Sequence, residues 1–339
     1  MDIISVFETE GAGSIPAGPA TIHIITTSMK NIAIVTSSLS KNYEKIIYWY
    51  VGNKCNYRCS YCHPNYYNGS HNWHSHDVVV PFLNQFQNSF VLFSGGEPTF
   101  HPQLFDIFRD INPTIKVGVV SNGSKPLEYW NQLLGTREQI DIVFSYHYET
   151  INEDAFFTTA LSLAKNSRCS FMVTFLMPTN NYWDQGVAFY KRLTHAGIDV
   201  QPKLRFVSSP FVAGRTQEGL AIDPNYTADQ VAWVQEHAKN VSGSITLFDD
   251  KFRPLEKNVD TQYLISHGID NFVGWRCSAP KKNLLIAPDG TVTTGLCAQR
   301  KILGNIFDHV DLGEQPYDVC QTTHCTGWID AIATKTKLV

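Results

Sequence analysis

Three cysteines on one short segment are the residues whose types and spacing most directly indicate chemistry. Cys55, Cys59 and Cys62 form a CxxxCxxC pattern directly after an apolar, strand-like stretch. Three thiolates on one loop can hold three irons of a [4Fe–4S] cube and leave the last iron open to another ligand. Zinc sites use CxxC pairs or cysteine–histidine mixtures of other spacing, and a disulfide cannot pair an odd triplet. The pattern therefore favours an iron–sulfur cluster.

A second motif follows the next apolar run, Phe90–Phe93, and reads Ser94-Gly95-Gly96-Glu97-Pro98-Thr99. Two glycines at a strand end allow the backbone to approach a ligand closely. Glu97 offers an acceptor for an ammonium group. The segment therefore predicts a binding site for an amine beside the cysteine loop.

Together the two motifs resemble the double signature of the radical S-adenosylmethionine (SAM) superfamily, in which an aromatic residue, here Tyr61, precedes the last cysteine. The resemblance implies that the amino and carboxylate groups of SAM chelate the open iron, and that Gly95, Gly96 and Glu97 hold the amino group. It also implies the reaction. The reduced cluster would cleave SAM to methionine and a 5′-deoxyadenosyl radical, which takes a hydrogen atom from a substrate.

Composition bounds the class of protein. The chain has 339 residues, 43% hydrophobic content and a net charge of −4 without a basic run, so we expect no nucleic-acid partner.

No signal peptide is predicted, because the first cation is Lys30 and Glu8 and Glu10 interrupt the early apolar residues. No apolar run is long enough to span a membrane. Eight cysteines without a secretory signal indicate metal ligands in a reducing cytosol, so a cytoplasmic location is expected.

Strands and helices alternate along the middle of the chain, which predicts a parallel sheet with right-handed crossovers. Six such units resemble the partial (β/α)6 TIM-like barrel of the radical SAM fold, with functional residues at the carboxyl ends of the strands. The predicted strands are Ile46–Val51, Phe90–Phe93, Val117–Val120, Ile140–Ser145, Phe171–Leu176 and Val200–Phe206, and the helices between them are Val78–Phe86, Gln103–Ile111, Pro126–Leu134, Glu153–Ala164 and Asp184–His195.

The chain divides into four predicted regions around this α/β core. Residues 1–43 are predicted to be an N-terminal β extension, with a hairpin formed by Thr21–Thr26 and Asn31–Thr36. Residues 44–207 form the barrel core. Residues 208–270 are a linker, a loop over Ser208–Asn225 followed by a helix over Ala228–Lys239. Residues 271–339 form a small C-terminal domain.

The C-terminal domain holds four more cysteines, Cys277, Cys297, Cys320 and Cys325. Two apolar runs around Pro288-Asp289-Gly290 predict a β-hairpin between the first two. The arrangement resembles the SPASM/twitch extension of radical SAM enzymes, and the count of four fits the shorter twitch form. The resemblance implies a second, auxiliary [4Fe–4S] cluster that relays electrons. A structural zinc site and two buried thiol pairs are the alternatives.

Further SAM contacts are expected at other strand ends. Ser145 and His147 share one face of their strand, and Asn122 ends another. Lys203 and Arg205 alternate onto one face of the sixth strand, where the SAM carboxylate or a surface acid could pair them. Each of these residues could also be a polar rim or turn residue.

Cys169, the remaining cysteine, is predicted to be a buried small hydrophobe. A role as the thiol that donates a hydrogen atom, as in radical epimerases, is the alternative.

The function predicted is a radical SAM oxidoreductase or maturase, served by an electron donor such as flavodoxin or ferredoxin. Its substrate would be a small molecule, for example a carbohydrate, because residues 1–43 look too short and β-like for a peptide-binding domain. An enzyme that crosslinks or epimerises a ribosomally made peptide is the alternative, as is a molybdopterin-type cyclase or deazapurine synthase. A non-catalytic iron–sulfur or zinc electron carrier is the alternative of another class, although a carrier has no need of an amine-binding glycine turn.

Overall fold

The computed structural model describes residues 31–62, 67–179, 182–208, 220–238, 245–297, 299–313, 317–325 and 327–338. The predicted strand Thr21–Thr26 lies outside these residues, and so does most of the predicted loop after residue 208. The strand predicted over Asn31–Thr36 is present as a shorter strand that runs directly into a helix.

The strands of the described residues are numbered in chain order. They are β1 (Ile34–Ser37), β2 (Lys45–Tyr50), β3 (Ser89–Ser94), β4 (Lys116–Ser121), β5 (Ile140–Tyr146), β6 (Cys169–Leu176), β7 (Val200–Lys203), β8 (Phe206–Ser208), β9 (Leu220–Ile222), β10 (Ile245–Phe248), β11 (Pro254–Val259), β12 (Trp275–Cys277), β13 (Asn283–Ile286), β14 (Thr291–Thr293), β15 (Ile302–Asn305), β16 (Asp318–Val319) and β17 (Lys335–Lys337).

The α-helices of the described residues are numbered in the same way. They are α1 (Ser38–Asn42), α2 (His76–Leu83), α3 (Leu104–Asp110), α4 (Leu127–Leu134), α5 (Glu153–Ala164), α6 (Trp183–His195), α7 (Ala228–His237), α8 (Thr261–Ser266), α9 (Ala279–Lys282) and α10 (Trp328–Ala331).

The larger sheet confirms the predicted α/β architecture. Its strand order is β15-β14-β13-β2-β3-β4-β5-β6-β7, and every pair from β13 to β7 is parallel. The predicted hairpin forms β13 and β14. Because β13 pairs in parallel with β2, the tail of the chain extends the same sheet that carries the cysteine loop.

A second sheet, of order β11-β10-β1-β17-β12-β16, joins distant parts of the sequence. It takes β1 from the predicted N-terminal extension, β10 and β11 from the predicted linker, and the other strands from the tail. The sequence analysis missed β10 and β11. Strand β11 lies at the sheet edge with almost all of its residues exposed, so it carries no apolar alternation that would identify it.

Strand β7 ends earlier than predicted, and this corrects the expectation that Lys203 and Arg205 share a strand face. The strand stops at Lys203, and Phe206 begins a separate two-stranded sheet. The backbone N–H of Leu204 donates to the side chain of Gln262 at 2.8 Å, and that of Arg205 donates to the Tyr226 hydroxyl at 3.1 Å. After β7 ends, the side chains of Gln262 and Tyr226 therefore accept the backbone hydrogen bonds that a neighbouring strand would otherwise accept.

Alternation along the parallel strands divides the apolar residues between two cores. In β2, Ile47 and Trp49 join the core under the helices. Ile46, Tyr48 and Tyr50 face the opposite way and join a core shared with the second sheet. The second sheet therefore covers the face of the main sheet that the helices leave open. Within the described residues, no helix has the length and apolar character to cross a membrane.

Because β13 is an internal strand of the main sheet, its core residues should stabilise the whole fold. Ile286 of β13 is fully buried, whereas Ile302 of β15 is 74% exposed. We expect Ile286→Ala to lower the free energy of unfolding by about 2–5 kcal/mol, because it leaves a cavity in a packed core. Ile302→Ala is the matched control and should change it by less than about 0.5 kcal/mol. Equal denaturant midpoints for the two variants would contradict the continuous sheet.

Candidate cofactor site at the carboxyl ends of the strands

The cysteine loop, residues 55–62, begins five residues after the end of β2 and folds back over the carboxyl edge of the parallel sheet. A turn in which the backbone N–H of Cys62 donates to the carbonyl of Cys59 at 3.0 Å holds the last two cysteines together. All three thiols line one cavity of about 40 Å³, together with Gly95 and Gly96 from the end of β3. The structure thus brings the two sequence motifs to one place.

The two glycines are required by the contact between the end of β3 and the start of the cysteine loop. The N–H of Gly96 donates to the carbonyl of Gly52 at 3.1 Å, and the N–H of Glu97 donates to that of Lys54 at 2.8 Å. A Cβ on Gly95 would lie 2.3 Å from the Gly52 oxygen, and one on Gly96 would lie 2.2 Å from the Lys54 oxygen. Any side chain here would push the loop that carries Cys55 out of place.

Glu97 is buried, with 1% of its surface exposed, and its carboxylate accepts four hydrogen bonds from within the chain. Thr99 donates its N–H and its hydroxyl, and Ser121 donates its hydroxyl at 2.9 Å. The N–H of Asn122 donates at 2.7 Å. The carboxylate therefore ties the end of β3 to the end of β4, a structural task that the sequence did not reveal.

His147 follows β5 and closes one side of the cavity. Its ring stacks on that of Tyr61 at 5.9 Å, and the Tyr61 hydroxyl lies 2.9 Å from Nδ1. Sγ of Cys59 is 3.7 Å from the same Nδ1 and 3.8 Å from the hydroxyl oxygen of Thr150. Desolvation lowers the pKa of His147 to about 4, so the ring is neutral at pH 7. The predicted residues Tyr61 and His147 are thus brought together around Cys59.

Two further predicted residues also line the cavity. Asn122 donates from Nδ2 to Oδ1 of Asn56 at 2.9 Å and lies 3.9 Å from Sγ of Cys55, so it steadies the cysteine loop. Ser145 is buried at the end of β5, and its hydroxyl oxygen has no hydrogen-bond partner within the described residues. A buried hydroxyl without a partner is costly, and a ligand in the cavity could supply the missing bond.

The electrostatics of the three thiols favour a bound cation. Burial, together with the negative charge of a neighbouring thiolate, raises the pKa of Cys55 to about 11 and that of Cys62 to about 12. Burial likewise raises the pKa of Cys59. Thiolates that repel one another in a dry site need positive charge to form, and a metal centre supplies it. The donor set therefore fits an iron–sulfur cluster.

The family comparison agrees with this geometry. Residues 49–207, which run from β2 into β8, match the family model described as the Radical SAM superfamily. This segment, just under half of the chain, is similar to the radical SAM superfamily. Both motifs on which the sequence resemblance rested lie inside the matched residues.

Solved structures show the same fold for the radical SAM domain and its surroundings. Streptococcus suis SuiB bound to S-adenosylmethionine matches with a TM-score of 0.53 and 13% identity, covering 80% of this chain and 65% of that chain. SuiB bound to precursor peptide SuiA gives 0.51 and 13%, covering 82% and 62%. The chain therefore spans less than two thirds of the length of SuiB. At this identity the likeness shows the fold alone.

Two further comparisons carry no argument about function. The structure of BtrN in complex with AdoMet and 2-DOIA matches with a TM-score of 0.40 and 11% identity, covering 79% of this chain and 80% of that chain, which is too low a score to support a conclusion. No curated protein matches the sequence.

Two residues predicted to touch SAM lie away from the cavity of the cysteine loop. Lys203 forms a 2.5 Å ion pair with Asp260 inside a second cavity. Arg205 pairs with Asp223 beyond the end of β7. Neither lines the cavity of the cysteine loop. Their roles toward SAM remain predictions, but each already has an acidic partner.

Cys169 lies at the amino end of β6, whereas the cysteine loop lies over the carboxyl ends of the strands. It packs against the core under the helices. The structure does not bring it to the cofactor cavity, which favours the interpretation of a small core hydrophobe. Its role as a hydrogen donor remains an untested prediction.

Two residues that the sequence analysis did not select also hold the cysteine loop. Glu149 accepts hydrogen bonds from the N–H and the hydroxyl of Ser60, and Thr150 contacts Cys59. Both follow β5 by a few residues. Their position directly after a parallel strand could have identified them, because loops at the carboxyl ends of such strands form functional sites. No motif distinguishes them from ordinary turn residues.

The four tail cysteines are gathered by the second sheet and its loops. Cys277 ends β12, and Cys320 follows β16, its paired neighbour. The N–H of Cys320 donates to the backbone carbonyl of Trp275 at 2.7 Å, and the N–H of Cys325 donates to the backbone carbonyl of Asp270 at 2.8 Å. Cys277, Cys320 and Cys325 are buried in one apolar cluster.

Cys297 is held toward the same cluster by the carboxylate of Asp330, which accepts the N–H of Leu296 at 2.9 Å. Burial raises the pKa of the Cys297 thiol, and charges at Asp330, Cys325 and Cys277 raise it further. The four thiols therefore share one electrostatic environment. Within the described ranges, neither these nor the first three cysteines form a group compact enough to be identified as the ligands of a single metal ion.

The hydrogen bonds of Glu97 predict what its removal does. We expect Glu97→Ala to lower the free energy of unfolding by about 1–3 kcal/mol, because buried donors of Ser121 and Asn122 lose their acceptor. SAM binding should also weaken, roughly ten- to a hundredfold, if the carboxylate accepts the SAM ammonium as predicted. Thermal unfolding without cofactor measures the first effect, and the SAM dissociation constant measures the second.

Glu138→Ala, which removes an exposed carboxylate, is the control and should change neither quantity. An unaltered unfolding free energy for Glu97→Ala would contradict the structural role. An unaltered dissociation constant would contradict the ligand role alone.

Proposed function

We propose that this chain is an enzyme that binds a [4Fe–4S] cluster through Cys55, Cys59 and Cys62, binds SAM beside it, and abstracts a hydrogen atom from a small polar substrate. One observation carries the proposal. The three thiols and the Gly95-Gly96 turn come from consecutive parallel strands and line a single cavity. A non-catalytic electron carrier does not account for a cavity of this kind beside its cysteines.

When bound there, the cluster and SAM supply a 5′-deoxyadenosyl radical through reductive cleavage of SAM. The residues of this chain hold and shield that chemistry. The stacked rings of Tyr61 and His147 cover Cys59 and keep water from its thiolate. The Ser145 hydroxyl, which has no partner within the described residues, and the Gly95 and Gly96 backbone that lines the cavity are the groups that can bind and orient SAM.

The second cavity supports a small, polar substrate. It has a volume of about 310 Å³ and lies between the inner face of the main sheet and the second sheet. Val120 lines both cavities, so the two adjoin. The walls carry hydroxyl, amide and charged groups that can bind a polyol or another multiply hydrogen-bonding molecule. These polar residues are Ser38, Asp141, Ser170, Thr174, Gln201, Lys203, Asp260 and Thr261.

A peptide substrate is the alternative that the sequence left open. The likeness to SuiB, whose structure with a precursor peptide is known, concerns the fold and does not transfer its substrate. Polar side chains within an interior cavity fit a compact molecule better than an extended chain. We therefore favour the small molecule, with flavodoxin or ferredoxin as the electron donor and the cytoplasm as the location.

We also propose that Cys277, Cys297, Cys320 and Cys325 bind an auxiliary [4Fe–4S] cluster. Support comes from the apolar cluster that holds three of these distant cysteines, Cys277, Cys320 and Cys325, and from Asp330, which binds the backbone next to Cys297. Four thiolates fill the ligand positions of a cube, which leaves no iron for SAM. Such a centre can pass electrons during an oxidation of the substrate. A structural zinc centre is the competing assignment for the same four thiols.

The first experiment tests the cysteine loop. Replacing Cys55, Cys59 and Cys62 together by alanine should remove about four irons per chain. It should also abolish formation of 5′-deoxyadenosine after dithionite reduction with SAM. Cys169→Ala is the matched control, since this thiol lies at the opposite edge of the sheet, and it should retain both iron and SAM cleavage. Production of 5′-deoxyadenosine at the parent rate by the triple variant would rule out the assignment.

The second experiment tests the tail. The cysteine-loop triple variant should keep about four irons and give a low-potential EPR signal on reduction, because the tail has a complete ligand set. Replacing Cys320 and Cys325 by alanine should spare uncoupled SAM cleavage, block product formation and destabilise the second sheet. Stoichiometric zinc without iron in the anaerobically purified triple variant would overturn the cluster and establish the zinc centre.

A further inference from the structure

Lys335 lies on β17 with only 1% of its surface exposed, within electrostatic reach of Cys277, Cys320 and Cys325. Strand pairing places its Cα directly opposite that of Cys277. Side chains directly opposite in an antiparallel pair lie on the same face, with their Cβ atoms about 4.5–5.5 Å apart. The ammonium therefore enters the region where the tail thiols gather.

The hydrogen bonds of the ammonium are satisfied, but its charge is not. Nζ donates to the backbone carbonyls of Asp330 at 2.5 Å, Ala331 at 3.2 Å and Ala333 at 3.1 Å. The Phe272 ring centroid is 4.9 Å away. Within the described part of the chain, no carboxylate forms an ion pair with Lys335. A buried ammonium without an anion carries a large desolvation cost.

Capping the end of α10 is the simpler role for Lys335. Lysines near helix ends do donate to the last carbonyls. An exposed lysine can do so while its charge stays in water, however, so capping does not require complete burial. Burial becomes favourable only if compensating negative charge lies nearby.

The tail cysteines and the carboxylate of Asp330 are the groups that can supply that charge. Burial lowers the pKa of Lys335, but the charges of Cys325, Cys277, Asp330 and Cys320 outweigh it and raise the pKa above its ordinary value. Metal-bound thiolates are negative at neutral pH, and Cys277 lies directly opposite Lys335 on the neighbouring strand.

We propose that Lys335 is the buried counter-charge of the metal centre held by the tail cysteines, and that it sets the reduction potential of that centre. This inference rests on the proposal that the four tail cysteines bind a metal centre. Four thiolates outweigh the charge of the cluster core, so the centre is anionic, and one-electron reduction adds one more negative charge. An adjacent ammonium favours the reduced form and so raises the potential.

The test uses the full-length cysteine-loop triple variant, in which the tail supplies the remaining centre. The protein is reconstituted anaerobically with iron and sulfide, and its EPR signal is followed in a redox titration. Lys335→Gln retains hydrogen-bond donors for the carbonyls and removes the charge. We expect it to shift the one-electron reduction equilibrium at least tenfold toward the oxidised form, a fall in potential of at least about 59 mV.

Two companion variants separate charge from structure. Lys335→Arg keeps the charge and should stay within threefold of the parent equilibrium. Lys337→Gln removes an exposed charge from the same strand and should do the same. If Lys335→Gln only loosened the structure around the cluster, the reduction potential would rise instead of falling. Water admitted to the cluster would stabilise the negative charge that reduction adds. A parent-like or raised potential for Lys335→Gln overturns the proposal.

Metal retention gives a readout that holds for iron and for zinc. Lys335→Gln should lose its tail metal to a chelator at least tenfold faster than the parent, and Lys337→Gln should not. Equal release rates overturn the role of Lys335 while leaving the metal centre intact. A parent without any tail metal overturns the metal centre and the inference together, so the two failures are distinguishable.

If Lys335→Gln does not fold, the charge can be read in the parent. With lysine labelled by ¹⁵N and zinc in the tail site, one Nζ resonance should remain that of an ammonium at a higher pH than the exposed lysines do. Its conversion to a neutral amine at lower pH than theirs would overturn the proposal.

Discussion

The close contact between the end of β3 and the segment that follows β2 is the constraint on which the site depends. Gly95 and Gly96 lie against the carbonyls of Gly52 and Lys54, at distances that leave no room for a Cβ. This contact fixes where the cysteine loop begins, and hence where Cys55 lies. Glu97 then joins the same strand end to β4. The Gly-Gly-Glu motif therefore assembles the site in addition to any contact it makes with a ligand.

Strand β2 connects this site to the rest of the molecule. Its carboxyl end leads into the cysteine loop, and one edge pairs with β13 from the tail. The tail strands β12 and β17 then form the second sheet together with β1 and β10, and this sheet covers the inner face of the main sheet. The interior cavity lies between the two sheets, so both proposed metal centres belong to the same packed structure as the proposed substrate site.

The charge of the buried side chains differs between the two proposed metal centres. Around the cysteine loop, the nearest titratable ring, His147, is neutral at pH 7, and the described surroundings of the thiols provide no buried ammonium. In the tail, Lys335 is buried beside the thiols, with its donors satisfied by carbonyls. A centre with a fixed counter-cation is easier to reduce than one without it. The difference is consistent with the proposal that the tail centre accepts electrons and the first centre donates them to SAM.

The sequence by itself determined the α/β alternation, the cysteine triplet and the glycine turn, because each depends only on the spacing of nearby residues or on the periodicity of apolar residues. It also placed Ser145, His147 and Asn122 at strand ends, where parallel strands converge. Only the tertiary structure decided that β13 pairs with β2 and that β10, β11 and β1 share a sheet with the tail, since pairing between distant segments leaves no local pattern. It decided equally that β7 ends at Lys203 and that Lys335 lies buried among thiols. Both depend on side chains supplied from remote parts of the chain.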